Sequence, residues 1–297
     1  MNLNSPYLLL VFASIIWGAT APIMKLTLQQ IPVFSLAFIR MAVAAIILGV
    51  LISKKLRVQK QHYITFFWAA ITGVTLNLAF FFIGLKLTEA ILAAFLVASV
   101  PIFTMVAAHF YLKEHFTLRL ILASTIAFAG IAIIIGKFDG PQSATQILGN
   151  ILLLLATLSW VAHEIIAKKL LKVYDGGTVA FYSMAIGATT FAPLFIWEYL
   201  ANPAWINKVN FQGIAGLLYG IFFASLLAYW AWQNGLKLLP AGQAAFFFYL
   251  APISGSILSI ILLNEKITPS LVIGGILIAI AVYLAERKRR THPFYKG

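Results

Sequence analysis

Inside long apolar runs, ionisable side chains are few: His163 and Glu164 stand side by side, and Arg40 stands alone. Such groups are costly in hydrocarbon, so a functional role is the default expectation for them. A carboxyl beside an imidazole suits the uptake and release of a proton near neutral pH. Glu164 is the best single proton carrier in the chain, and His163 can assist it. The plainer alternative for Glu164 is a pair with Lys168, four residues on along a helix. Arg40 lies roughly 10 Å inside its apolar run at 1.5 Å per helical residue. Either it attracts an anionic group, in an entry or gating role, or it snorkels to the interface or joins a structural ion pair.

A second constellation appears twice. "VPIFTMVAAHFYLKEHFT" at 100–117 and "APISGSILSIILLNEKIT" at 251–268 share an outline, with Pro101 and Pro252 each thirteen residues before Glu114 and Glu265. A proline within a helix frees the carbonyl four residues back, here at Val97 and Phe248. In lipid such a carbonyl must be buried in protein or face a watered cavity. Pro101 and Pro252 therefore either supply a cavity with uncharged acceptors or simply kink their helices for packing. Glu114 and Glu265 fall at hairpins, Thr117 and Thr268 are placed to cap the next helix, and Pro269 suits a first turn, so this part of the outline reads as structural. Asn77 and His109 are lone polar groups of the kind that hydrogen-bond between helices.

Enzyme signatures fail on inspection. Gly130 to Phe138 resembles a phosphate-binding loop, but it has five residues between the glycines and phenylalanine in place of Ser or Thr. His163-Glu164 begins a zinc-protease pattern whose second histidine is missing; position 167 is alanine. Asp139 and Asp175 both sit in loops, so no intramembrane carboxylate dyad can be assembled from them. No catalytic residue, metal or cofactor is expected, and ATP is not the expected energy source.

These side chains must be positioned by helices in a membrane. The 297 residues are 62% hydrophobic and only 10% charged, and the mean hydropathy is +0.96; soluble domains are nearer a quarter charged. Ten apolar runs approach or exceed the ~20 residues needed to cross a bilayer: Tyr7–Leu28, Val33–Ile52, Ile64–Leu85, Ala90–Tyr111, Leu118–Ile135, Leu148–Leu170, Thr178–Tyr199, Gln212–Leu236, Ala241–Leu263 and Pro269–Ala285. The connections are short, so no soluble domain is expected. "MNLNSP" carries no positive charge, and the first run is too long for a cleavable signal. With no cysteine, disulfides and thiol chemistry are excluded.

A net charge of +13 suggests nucleic acid until its placement is considered. Lys54, Lys55, Arg57, Lys60, Lys168, Lys169, Lys172 and Arg287 to Arg290 all fall on one side of a ten-span topology. Lys25, Lys86, Lys137, Lys208 and Lys266 fall on the other. That asymmetry puts both termini in the cytoplasm, makes the tail from 287 to 297 a stop-transfer anchor, and leaves no role for nucleic acid.

The two halves echo each other. Gly84-Leu85-Lys86 recurs as Gly235-Leu236-Lys237, and Ala93-Ala94 as Ala244-Ala245, both 151 residues on. Earlier the offset is 143: Trp17 matches Trp160, Lys25 matches Lys168, and "AFIRMA" at 37–42 matches "AFYSMA" at 180–185. An odd number of spans per copy inverts the second copy, so the expected fold is an all-α integral membrane protein. Its ten transmembrane helices would form two inverted-topology five-helix repeats, 1–137 and 146–290. Such symmetry suits one central site presented to each side in turn.

The Phe38-x-Arg40-x-x-x-Ala44 pattern, both proline-to-glutamate outlines and the Leu-x-Glu endings at Leu112–Glu114 and Leu263–Glu265 resemble the EamA family of the drug/metabolite transporter superfamily. The resemblance covers roughly Tyr7 to Glu286, with Ser183 standing where the repeat would place a second arginine. It implies a plasma-membrane secondary transporter exporting small metabolites, such as amino acids or related compounds, by alternating access. Protons are the candidate coupling ion. Runners-up are a carrier of lipid or lipid-linked compounds and, less favoured, an intramembrane enzyme. It further implies a central cavity lined by the first, third and fourth helix of each half. Trp17, Asn77, Trp160, Tyr229 and Tyr249 are the candidates to line it, beside Pro101 and Pro252. Gly216-x-x-x-Gly220 allows close helix approach.

Overall fold

The computed structural model describes residues 5–88, 93, 97, 99–135, 143–263 and 269–286, and every regular element among them is helical. In chain order the helices are α1 (Pro6–Thr27), α2 (Val33–Leu51), α3 (Lys60–Leu87), α4 (Val100–Leu112) and α5 (Leu118–Ile135). After these come α6 (Ala144–Leu170), α7 (Gly176–Ala201), α8 (Phe211–Leu238), α9 (Ala241–Ala245, Phe246–Leu250 and Ala251–Leu263 in succession) and α10 (Pro269–Glu286). Among the described residues, seven helices are long and apolar enough to cross a membrane; α4 and apolar stretches of α5 and α10 are shorter. The protein is an all-α, multi-spanning membrane protein.

Local signals set the helix ends. Pro6 opens α1 in the first turn, where its missing N–H costs nothing. Ser143 and Gln146 close a reciprocal capping box at the start of α6, and the Asn210 side chain accepts from the Gln212 and Gly213 amides at the start of α8. Thr117 Oγ1 accepts from Leu120 N at the start of α5. Glu114 accepts from the Ala241 and Gly242 amides at 2.8 and 3.2 Å, so its carboxylate caps α9 from across the molecule. Glu198 does the same for α2, accepting from Ser35 N and Oγ. Both carboxylates have structural work, for Glu114 as its hairpin position suggests. Glu265 and Thr268 lie outside the described residues, as does the basic tail.

Two helices widen midway. Ile71–Leu76 in α3 and Tyr219–Leu227 in α8 are π-helical. A π turn closes i→i+5 bonds and misaligns neighbouring carbonyls, leaving acceptors for outside partners. Here those partners are side chains from other helices. Trp17 Nε1 donates to Ala224 O (2.9 Å), Tyr229 Oη to Gly73 O (2.6 Å) and His163 Nδ1 to Ala69 O (2.8 Å).

Packing places α1 against α8 and α9, α6 against α3 and α4, α2 against α7, and α5 against α10. Small residues permit the closest approaches: a Cβ on Gly18 would sit 2.2 Å from the Ala251 carbonyl oxygen. Polar contacts mark the two ends of the bundle. At one end Asp175 pairs with Lys55 (3.3 Å) and Lys237 (3.1 Å), which hold its carboxyl below the usual carboxylate range. Lys168 Nζ there donates to the carbonyls of Leu236, Lys237 and Leu239. At the other end Lys25 Nζ donates to Thr88 O (3.0 Å), and Thr88 Oγ1 to Asn150. Large apolar side chains on the perimeter, such as Val50, Leu200 and Phe211, are exposed, as surfaces facing lipid require.

Candidate functional site

A cavity lies between the helices, with lining residues from α1, α2, α3, α6, α8 and α9, together with Ala93, Val97 and the start of α4. Its empty space, counting the part that opens outward, is ≈ 860 Å³. Trp17, Arg40, Asn77, Trp160 and Tyr229 all reach its wall. Val97 and Phe248, the residues whose carbonyls the prolines were expected to free, reach it too. Pro101 lies in the first turn of α4, and Pro252 follows the 3-10 stretch Phe246–Leu250; neither touches the cavity wall.

One end of the cavity is closed by stacked aromatics. Trp17 lies flat on Phe248 (5.6 Å, 8°) and meets Trp160 edge-on (5.0 Å, 80°) and Tyr229 edge-on (5.6 Å). Trp232 packs under Phe248 at 4.4 Å. Rings at these separations and tilts attract beyond their burial alone. The floor they make faces the Lys168 end of the bundle, because the cavity-lining residues of α6 (Ala156, Thr157, Trp160) all precede His163.

Beneath this floor sits a dry polar cluster. Thr104 Oγ1 donates to Glu164 Oε2 at 2.6 Å, bridging α4 to α6. The indole N–H groups of Trp160 and Trp232 lie beside the carboxyl without closing a hydrogen bond, and Glu164 Oε1 is itself unpaired. His163 Nδ1 gives its proton to the Ala69 carbonyl, which can only accept, and Nε2 takes a hydrogen bond from the Gln233 amide at 2.8 Å. Both ring nitrogens are thus engaged in the neutral imidazole. Burial of His163, Glu164 and Gln233 is complete.

Two plain expectations for charged residues do not hold. Glu164 makes no pair with Lys168, because Lys168 reaches the carbonyls ending α8, where the helix dipole concentrates negative charge. Arg40 does not snorkel: it is 2% exposed. Its Nε and Nη2 share the Ser225 hydroxyl oxygen (3.3 and 3.2 Å), Nη1 faces Met24 Sδ (3.5 Å), and its guanidinium carbon lies 5.4 Å from the Phe82 ring centre.

Asn77 Nδ2 donates to Ala156 O at 2.9 Å, tying α3 to α6 at the cavity wall. His109 donates from Nδ1 to the Glu114 carbonyl in its own hairpin and meets the Phe110 and His115 rings edge-on. Tyr249 is brought elsewhere: it is fully buried among Ala123, Ala127, Phe246 and Ala281, and its hydroxyl donates to Ser124 O. Phe248, Trp232, Gln233 and Thr104 complete the site and were not singled out by sequence. The pointers to them were the proline rule, through Phe248, and the aromatic runs at 229–234 and 246–249.

Comparison with known proteins agrees with this architecture. The EamA-like transporter family model matches residues 4–136 and again 147–286. An uncharacterized transporter of Archaeoglobus fulgidus is 29% identical over 290 residues, covering 96% of this chain and 99% of that one. The uncharacterized transporter YyaM of Bacillus subtilis is 24% identical over 287 residues, covering 94% and 93%. A solved crystal structure covers 95% of both chains with a TM-score of 0.76 at 17% identity, a likeness of fold.

Proposed function

The chain belongs to the EamA-like transporter family, and on that premise we propose that it is a secondary transporter. It exports small metabolites, such as amino acids or related compounds, across the cytoplasmic membrane by alternating access. The observation that carries this reading is the partly open cavity between the helices of both halves, bordered on the Lys168 side by the packed rings of Trp17, Trp160, Tyr229, Trp232 and Phe248.

Alternating access needs two related halves, and we read the chain as ten helices in two inverted five-helix repeats, 1–137 and 146–290. Contacts made far apart in sequence support it. Lys25 donates to Thr88 O, and their repeat equivalents Lys168 and Leu239 make the same bond at the opposite end of the bundle. The π-helical stretch of α3 corresponds, at the 151-residue offset, to the second part of that of α8. On the positive-inside rule, the end bearing Lys55, Lys168 and Lys237 is cytoplasmic, so the aromatic floor is the closed inner gate.

The halves differ at one acceptor. Trp17 bonds Ala224 O, whereas the equivalent acceptor of Trp160, Gly73 O, is held by Tyr229, and Trp160 Nε1 has no partner. Exchange of Tyr229 for Trp160 on that carbonyl is our candidate for the step that opens the inner side. Glu164, dry under the gate, is the candidate proton carrier, and His163 holds α3 and α8 together beside it.

Reconstituted in liposomes, the protein should exchange a radiolabelled substrate recovered chemically unchanged. Trp160→Ala should cut the rate far below that of Tyr283→Ala on exposed α10. Chemical conversion of the substrate, or equal rates in the two variants, sinks the reading.

A further inference from the structure

Arg40 carries a full positive charge into the cavity wall, and among the described residues none within reach carries a negative one. Its hydrogen-bonding neighbours are one hydroxyl, Ser225, and one thioether, Met24; its stacking neighbour is Phe82. The two salt bridges among the described residues belong to Lys55, Lys237 and Asp175, at the far end. A guanidinium has five N–H donors and gains most from a planar, bidentate anion. Buried without one in a membrane interior, it bears a desolvation cost that a structural role through a single hydroxyl does not offset.

The surroundings are shaped for this side chain. A Cβ at Gly220 would come within 2.7 Å of Arg40 Cδ and 2.8 Å of Nε, so glycine there keeps the arginine stem in place. The rest of the cavity has a matching bias. Its wall includes Trp17, Phe81, Phe82, Trp160, Tyr229 and Phe248 and, among the described residues, no Asp or Glu. A cationic substrate would find no carboxylate among them and would be repelled by Arg40. A zwitterion would satisfy Arg40 but leave its ammonium with ring faces alone, which attract a cation less than a carboxylate does.

We infer that the transported substrate is a net monoanion, an organic carboxylate with an apolar or aromatic body, whose acidic group is received by Arg40. This inference rests on the transport reading above and narrows its substrate class, from amino acids and related compounds to those related compounds that carry the carboxylate without an ammonium. The ligand supplies the charge that the fold omits: bound, it neutralises the cavity, and the aromatic wall takes its body.

The test uses four radiolabelled probes that share one phenyl body: phenylacetate, phenylacetamide, phenethylamine and phenylalanine. Uptake into proteoliposomes is measured after subtraction of protein-free liposomes. A charge-assisted hydrogen bond is worth about 1.5–3 kcal/mol, so phenylacetate should enter at least about tenfold faster than the other three. Arg40→Gln should bring carboxylate and amide within about threefold of each other. If that variant is not recovered, the wild type alone decides. Phenylacetate should raise its thermal unfolding midpoint in detergent, and phenylacetamide at the same concentration should not.

Uptake of the amide, amine or zwitterion as fast as phenylacetate overturns anion selectivity while leaving transport intact. A wild type that neither moves nor is stabilised by phenylacetate overturns it as well. Selectivity that persists in a folded Arg40→Gln removes Arg40 from the binding role.

Discussion

Trp17 and Trp160 meet edge-on with ring centroids 5.0 Å apart, yet their indole N–H groups part: that of Trp17 donates to Ala224 O, while that of Trp160 lies beside the Glu164 carboxyl without closing a bond. The Gly73 carbonyl that would serve Trp160 is occupied by the Tyr229 hydroxyl. Tyr229→Phe keeps the ring and releases that carbonyl. We expect single-cysteine reporters in the cavity to become several-fold more accessible from the cytoplasmic side in this variant. An unaltered accessibility ratio would refute the exchange of acceptors.

Glu164 is the next test. Glu164→Gln preserves size and the bond from Thr104 while removing the titrating group. Uptake driven by a pH gradient should be lost, and substrate exchange at equal pH on both sides should persist. Retained pH-driven uptake assigns coupling to another group.

A third expectation concerns the seam of α1 and α9. Gly18→Ala would put a methyl 2.2 Å from a backbone carbonyl, which cannot move aside as a side chain can. Overpacking of this kind costs about 1–3 kcal/mol, so thermal stability and transport should both fall. Gly275→Ala has open space and serves as the control. Equal melting of the two variants would show that the seam is loose.

Topology is checked by labelling single cysteines placed in this cysteine-free chain. Arg57→Cys should react with an impermeant maleimide only after cells are opened, and Lys208→Cys should react in intact cells. The reverse pattern inverts the orientation and would put the aromatic gate on the outside.

Much of this was legible in the sequence, for identifiable reasons. Apolar length set the membrane class, and matching offsets picked Trp17 and Trp160, which do meet. Periodicity could not anticipate the π turns in α3 and α8, because an added residue in one turn rotates everything beyond it. That is why, of the aromatic run at 229–234, Tyr229 was chosen for the site and Trp232 and Gln233 were not. Tyr249 was misjudged by one position. Phe248 faces the cavity, and the next residue in a 3-10 stretch points about 120° away, here into the packing with α5. The Glu164–Lys168 pair was sound by spacing alone, but the open carbonyls at the end of α8 compete for the lysine.

The indole of Trp160 also bears on how the two layers of the site communicate. Its N–H lies beside the Glu164 carboxyl without closing a hydrogen bond, so the ring and the carboxyl are a small rotation from one. A hydrogen bond to a charged group is worth about 1.5–3 kcal/mol. On the transport reading proposed above, the charge on a single carboxyl therefore weighs on the orientation of a ring that faces the cavity.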